Sequence, residues 1–177
     1  MTNYVYIATS LDGFIATSEG DLDWLSETPS PENSDYGFSE FIQSIDAIVM
    51  GRKTFEKVLT FEVWPYDKPV FVLSSGRISI PKELDGKVEP ITGNPTEIVE
   101  QLNVLGHENL YIDGGVTIQG FLEEDLVDEM IITRVPILLG DGIPLFGKLT
   151  NRLHFYHKKT EFLNENLVKS YYVRTRE

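Results

Sequence analysis

Arg52 and Lys53 follow an apolar run, Ala47 to Met50, and a single glycine, Gly51. The pattern predicts a short strand and then the first turn of a helix. The helix dipole disfavours cations in that turn by ~0.3–1 kcal/mol each. The chain carries a net charge of −13, so two cations placed there point to an anion that offsets the cost. Thr54 adds a hydroxyl donor. The plainer reading is that both side chains bend into solvent. A second stretch, Leu110-Tyr111-Ile112-Asp113-Gly114-Gly115-Val116-Thr117-Ile118, reads as a buried strand, a glycine pair and a helix start. Glycines let another group approach the main chain closely, and the free N–H groups of a first turn attract anions. A third apolar run, Pro69 to Ser74, ends in Ser74-Ser75-Gly76. In an open parallel sheet ligands bind outside the carboxyl ends of the strands. Three small or polar ends on one edge therefore predict a long groove for an extended, phosphate-bearing ligand.

Several single residues have both a chemical and a structural reading. Asp113 is placed to accept from a ribose or a substrate, or to cap the helix after it, which is the commoner role. Asp12 is placed near a reacting ring, although Asp12-Gly13 is also a turn signature. Trp24 is suited to covering a flat substrate or to plugging a loop. Asp35 is suited to holding a heterocycle's N–H groups or to capping a helix that starts near Phe38. His154 and His157 lie three apart on a predicted strand, hence on opposite faces, and no metal site is expected from them. The fingerprints Gly-x-Gly-x-x-Gly, Gly-x-x-x-x-Gly-Lys-Ser/Thr and Gly-x-Ser-x-Gly are absent.

Composition narrows the class. The 177 residues suit one domain, 1–177, with a real core. A hydrophobic fraction of 41% is that of a soluble globule, and no apolar run approaches the ~20 residues of a membrane span. The acidic balance argues against nucleic acid, whose phosphates need a basic surface. With no cysteine there is no disulfide framework and no thiolate metal site. No signal peptide is visible, and the expected location is the cytoplasm, with no membrane partner.

The elements that must position these residues follow from the apolar pattern. Strands are predicted at Tyr4 to Thr9, Ala47 to Met50, Pro69 to Ser74, Val88 to Ile91, Leu110 to Ile112 and Glu129 to Val135. Phe14-Ile15-Ala16 resumes the apolar pattern after a turn, and Ser18 to Pro31 reads as a long polar loop. Phe38, Phe41, Ile42 and Ile45 form a helical stripe. A helix over Arg52 to Leu59 turns Phe55, Val58 and Leu59 inward. Asn94-Pro95-Thr96-Glu97 is a capping box with proline at the first helical position. The helix it opens buries Ile98, Val99, Leu102 and Leu105 and closes at Gly106. Another helix runs about Val116 to Glu123. Pro136 to Gly142 is an apolar loop, and Leu153 to Phe162 with Leu167 to Arg176 forms an antiparallel hairpin around Asn164-Glu165-Asn166. The class is α/β: a mixed sheet, parallel at its centre, with a C-terminal antiparallel hairpin and helices on both faces.

Four segments, taken in order, resemble the dihydrofolate reductase superfamily. They are Ser10-Leu11-Asp12-Gly13-Phe14-Ile15-Ala16, Val49 to Glu56 with its Gly51-Arg52-Lys53-Thr54, Leu110 to Gly115, and Pro136 to Gly142. The branch they are most similar to contains the C-terminal reductase domain of the bifunctional riboflavin-biosynthesis deaminase–reductase. The resemblance runs nearly end to end, and it implies a dihydrofolate-reductase-like fold with NADPH as hydride donor. It implies that Gly51, Arg52, Lys53 and Thr54 face the 2′-phosphate and that Ser74 and Ser75 line the adenine-ribose end. Asp113, Gly114, Gly115, Val116 and Thr117 hold the pyrophosphate side, and Ala8, Asp12, Gly13 and Ile15 lie near the nicotinamide. Trp24, Asp35, Gly140 and Gly142 fall on the substrate side, with Asp12 and Asp35 the candidate catalytic acids. The implied acceptor is a small heterocycle or a ribosylaminopyrimidine, as in a 5-amino-6-(5-phosphoribosylamino)uracil reductase. True dihydrofolate reduction and a nucleotide-binding module without turnover are the alternatives. Relatives in this branch are commonly dimers. The C-terminal strands would leave an exposed edge if unpaired, so a two-fold homodimer is expected.

Overall fold

The computed structural model describes residues 1–27, 35–163 and 166–176. An eight-stranded sheet carries the molecule, in the order β5-β4-β3-β6-β1-β7-β10-β9. Its strands are β1 (Thr2–Thr9), β3 (Ala47–Gly51), β4 (Val70–Leu73), β5 (Val88–Ile91), β6 (Asn109–Asp113), β7 (Glu129–Arg134), β9 (His154–Phe162) and β10 (Val168–Thr175). The six strands from β5 to β7 run parallel. β10 pairs antiparallel with β7 and with β9, which gives the expected hairpin at one edge. Of the turn residues expected there, Asn164 and Glu165 lie outside the described residues.

The parallel centre follows from its sequence. Ala47 to Met50 and Leu110 to Ile112 are buried without alternation, as strands covered on both faces must be. One face holds α3 (Pro95–Val104) and α4 (Gly115–Glu123), packed on Val5, Val49, Leu110 and Ile112. The other holds α1 (Phe38–Gln43) and α2 (Arg52–Val58), packed on Ile48, Met50, Tyr111 and Ile131. The capping box forms as read, with the Glu97 N–H donating to Asn94 Oδ1 at 2.9 Å and the Asn94 N–H to Glu97 Oε2 at 2.9 Å.

Three local expectations change. Phe14–Ala16 does not simply resume the apolar pattern. As β2 it leaves the main sheet and pairs with β8 (Ile143–Pro144), because Gly13, at φ +86°, turns the chain back and the Ser10 N–H reaches the Phe14 carbonyl at 2.9 Å. The polar loop contains a 3-10 helix, Asp23–Glu27. Leu105 is 63% exposed rather than part of the inner face of α3, since the helix ends at Val104 and the chain turns away there.

Candidate functional site

The carboxyl ends of the central strands stand side by side. Met50 pairs with Asp113, and Gly51 pairs with Leu73, the residue before Ser74. The three strand ends that were expected to share one edge do so, and the two helices that start there interlock. A Cβ on Gly114 would lie 2.1 Å from Thr54 Oγ1, and one on Gly51 would lie 3.0 Å from Thr117 Oγ1. Each glycine thus gives space to the threonine of the other helix. Gly114 also sits at φ +88°, a conformation a side chain resists. A Cβ on Gly115 would meet Ile15 Cδ1 at 3.0 Å and Ile143 Cγ2 at 3.1 Å, so the small β2–β8 sheet rests directly on the start of α4.

No side chain caps α4, and Val116 in its first turn is 83% exposed. Arg52 and Lys53 are exposed at the next strand end. Arg52 has an internal partner, Glu56, with Nε to Oε1 at 3.6 Å and both side chains more than half exposed. Ser74 is half-buried and exchanges hydrogen bonds with the Gly76 backbone at 3.1 and 3.2 Å, while Ser75 is exposed. Uncapped amides, two exposed cations and two serines on one edge fit a dinucleotide phosphate chain.

The acids divide by environment. Asp12 ties the first turn to the loop after β7: Oδ1 accepts from Ser10 Oγ at 2.6 Å and from the Leu139 N–H at 3.2 Å, and Oδ2 accepts from the Gly140 N–H at 2.8 Å. The Ser10 hydroxyl and those amides hold its carboxyl below the ordinary range. This tether uses three of the carboxylate's acceptor sites. Gly140 therefore serves as a backbone donor. Gly142, at φ +155° and with no room for a Cβ beside the Ala16 carbonyl, lets β8 approach β2. Asp35 lies two residues before Gly37, which takes the cap position of α1, and accepts from the Gly37 N–H at 2.9 Å and the Ser39 N–H at 2.8 Å. The Ser39 hydroxyl and these amides bring it down to about 2. Both acids are exposed, and each carboxylate keeps acceptor sites beyond these donors.

Asp113 behaves differently. It is not the helix cap the sequence favours, because Gly114 takes the cap position. Its Oδ1 accepts the Gly114 N–H at 2.8 Å. Tyr66 and Tyr111 stand beside it, the Tyr111 hydroxyl donating to the Tyr6 carbonyl at 3.0 Å. Burial raises the Asp113 carboxyl to about 6 despite the amide and these neighbours, and burial together with the carboxylate raises both tyrosines. Sequence reasoning missed Tyr66 and Tyr111 as site residues. Tyr66 lies on an irregular segment that no motif marks.

The row of residues running sideways from the end of β1 was also illegible. Ala8 pairs with Thr133, Thr133 with Lys169 and Lys169 with Glu161. Lys169 is 4% exposed, with Nζ 2.8 Å from the Tyr36 carbonyl and 3.3 Å from Glu161 Oε2. The Tyr6 hydroxyl donates to the same carbonyl at 2.9 Å. Only strand register brings these four positions into line. Trp24 is 3% exposed and packs with Val135, Leu167 and Ala8, so it fills the space beside Ala8 as a plug.

Comparison with known proteins agrees with this geometry. The family model described as "RibD C-terminal domain" matches residues 4–169. The protein YwjB of Bacillus subtilis (strain 168) is 39% identical over 174 residues, covering 96% of both chains. The crystal structure named "Putative riboflavin biosynthesis protein", from Shewanella sp. PV-4, superposes with a TM-score of 0.95 at 51% identity, covering 99% of this chain and 100% of that one. The dihydrofolate reductase of Enterococcus faecalis, complexed with NADP(H), superposes with a TM-score of 0.64 at 17% identity over 99% and 97% of the two chains, a likeness of fold. The chain belongs to the family of the RibD C-terminal domain, a riboflavin-biosynthesis reductase-type family built on the dihydrofolate-reductase-like fold.

Proposed function

We propose that the chain is an NADPH-dependent reductase whose acceptor is a small heterocycle or a ribosylaminopyrimidine, acting through one domain of residues 1–177. The observation that carries this reading is the meeting of three strand ends on one edge. Exposed cations stand on one side of that edge and a protonatable carboxyl on the other. Arg52, Lys53 and Thr54 hold the 2′-phosphate end, Ser74 and Ser75 the adenine ribose, and the α4 amides from Gly115 to Thr117 the pyrophosphate. Ala8, Gly13 and Ile15 bound the nicotinamide. When bound, NADPH supplies the hydride, from the nicotinamide C4, and leaves as NADP⁺. The chain's own work is to orient the acceptor, exclude water and supply the matching proton. We assign that proton to Asp113. A carboxyl near 6 holds a proton for part of the time at neutral pH, and Tyr66 stands beside it.

The deciding measurement is loss of nicotinamide absorbance when the full chain meets NADPH and a panel of pterins and ribitylated pyrimidines. Oxidation of NADPH with a pyrimidine acceptor supports the reading. Tight NADPH binding without oxidation across the panel favours a nucleotide-binding module.

We further propose a two-fold homodimer in the cytoplasm. The absence of cysteine suits a reducing compartment, and among the described residues no helix is long and apolar enough to cross a membrane. On the α3–α4 face, beyond the helices, a groove of about 540 Å³ is lined by Leu11, Met130, Ile132, Phe146 and Tyr172, with Leu11 and Phe146 half exposed. This groove suits a second copy better than the β9 edge, where Lys158 and Lys159 oppose strand addition.

A further inference from the structure

Burying an ammonium is costly, so what Lys169 holds near the start of β10 matters. Its Nζ donates to the Tyr36 carbonyl at 2.8 Å and lies 3.3 Å from Glu161 Oε2 on β9. The rings of Tyr6 and Tyr171 have their centroids 5.9 and 5.5 Å from it. Glu161 also receives Lys159 at 2.5 Å and the Tyr171 hydroxyl at 2.9 Å. Two lysines thus share one carboxylate, and positive charge is left over beside the Tyr36 carbonyl. Asp35 in the turn acts on Tyr6, and Glu40 on α1 acts on Tyr171, which completes the charged groups around this lysine.

The carbonyl it holds belongs to a strained turn. Tyr36 and Gly37 are both left-handed, at φ +55° and +84°, and the Phe38 N–H closes the turn on the Asp35 carbonyl at 3.0 Å. Glycine adopts this conformation freely, whereas a tyrosine resists it. A Cβ on Gly37 would also lie 3.2 Å from Lys169 Nζ. The Tyr36 carbonyl meets two buried donors here, Lys169 Nζ and the Tyr6 hydroxyl at 2.9 Å. Two donors on one carbonyl, one of them charged, offset the strain.

The turn sets where α1 begins. Phe38, the first residue of that helix, has its ring centroid 5.6 Å from that of Tyr6, 6.5 Å from Tyr66 and 6.4 Å from Tyr111. Tyr66 and Tyr111 are the two tyrosines beside Asp113, whose carboxyl is raised chiefly by burial. The groups that act on Asp113 are the Gly114 amide and these tyrosines, and no cation is among them. Contacts therefore run from β10 to β6 through one turn and one ring.

We propose that Lys169 is a positioning residue for Asp113: by holding the Tyr36 carbonyl in its left-handed turn it fixes Phe38 against Tyr66 and Tyr111, and so keeps the carboxyl covered. What that carboxyl does rests on the reductase reading above. Two effects of removing Lys169 have opposite signs. Loss of a positive charge alone favours the neutral carboxyl and moves its titration up, whereas loss of the cover lets water reach the carboxylate and moves it down.

The test is a carboxyl NMR titration of Asp113 in the full chain, for wild type, Lys169→Met and Tyr6→Phe. Tyr6→Phe keeps the ring against Phe38 and removes only the second donor to the Tyr36 carbonyl. The midpoint should fall by about one pH unit or more in Lys169→Met, and by less in Tyr6→Phe. In NADPH oxidation the loss of kcat with rising pH should begin correspondingly lower. At about pH 7 kcat then falls roughly 10-fold, with little change below about pH 5 and the NADPH Kd as in wild type. A midpoint that stays or rises in Lys169→Met overturns the inference, as does a loss of NADPH affinity as large as the loss of kcat. If Lys169→Met does not fold, the sign in Tyr6→Phe decides: a fall supports the inference, and no change or a rise overturns it. A fall in the midpoint with no NADPH turnover, or with an unmoved pH profile, leaves the positioning intact and overturns the reductase reading or its proton assignment, which separates the two failures.

Discussion

At Asp113 one carboxyl is held in a site that disfavours its charge, and the cost depends on pH. Its folded value is about 6 against an ordinary 3.8, so the folded chain binds more protons than the unfolded chain between those limits. Stability from this group is therefore greatest below about pH 4 and falls as pH rises through 6, after which the loss is complete. Two pKa units correspond to roughly 3 kcal/mol, less whatever hydrogen bonding an amide cannot reproduce. Asp113→Asn should raise thermal stability at pH 8 by about 1–2 kcal/mol, and hardly at all at pH 4. Thermal melts across that range check the sign; an equal effect at both pH values would remove the charged-carboxyl explanation. The same variant should slow NADPH oxidation if Asp113 supplies the proton. Arg52 tests the cofactor at the same scale. A charge-assisted contact to phosphate is worth ~1.5–3 kcal/mol, so Arg52→Ala should weaken NADPH binding by about 10–100-fold and leave NADH nearly unchanged. Glu56 competes for the guanidinium at 3.6 Å, so Glu56→Gln should tighten NADPH binding slightly. Equal losses for both cofactors in Arg52→Ala would show that this cation does not read a 2′-phosphate.

Two elements hold the site together by contacts that leave no room for change. The start of α4 needs Gly114 for its positive φ and for the seat it gives Thr54. Gly114→Ala should cost on the order of 2–4 kcal/mol, from backbone strain and the displaced threonine together. It should also weaken NADPH binding more than Gly120→Ala, a substitution whose nearest neighbour is Pro95 Cγ at 3.6 Å. The loop after β7 depends on Asp12 in a similar way. Asp12→Ala removes the acceptor of the Leu139 and Gly140 amides, so their hydrogen exchange should accelerate by about 10-fold or more while β7 and β10 stay protected. Acceleration spread evenly over the sheet would mean that Asp12 supports the whole fold rather than this loop.

At the scale of the molecule, the prediction is a two-fold dimer through the groove beside β7 and β10. Light scattering at micromolar concentration should return twice the chain mass of 20.1 kDa. Phe146→Asp should return the single mass, because it places a charge on the half-exposed apolar rim. A wild-type monomer, or a dimer indifferent to Phe146→Asp, would remove this surface as the interface.

Much of the fold was legible because its signals are local. Unbroken apolar runs marked the parallel strands, Asn94 to Glu97 marked a helix start to the residue, and Asn166 lies in the turn of the predicted hairpin. The strand ends were equally legible: Gly51-Arg52-Lys53-Thr54 and Asp113-Gly114-Gly115 are contiguous, and strand order alone puts them on one edge. The row beside them was not legible, for a physical reason. Running from Ala8 through Thr133 and Lys169 to Glu161, it joins four strands at one register position, and a sequence does not state register between distant strands. Tyr66 comes beside Asp113 only when an irregular segment folds over β6, whereas Tyr111 is on β6 itself. Asp12 and Asp35 each offered a chemical and a structural role, and the structural one is visible in the amides that donate to them. The sequence by itself determined which residues form strands, helices and the glycine-bearing strand ends. The tertiary structure decided which carboxyl is buried and which lysines are paired, because those properties depend on neighbours that only packing brings together.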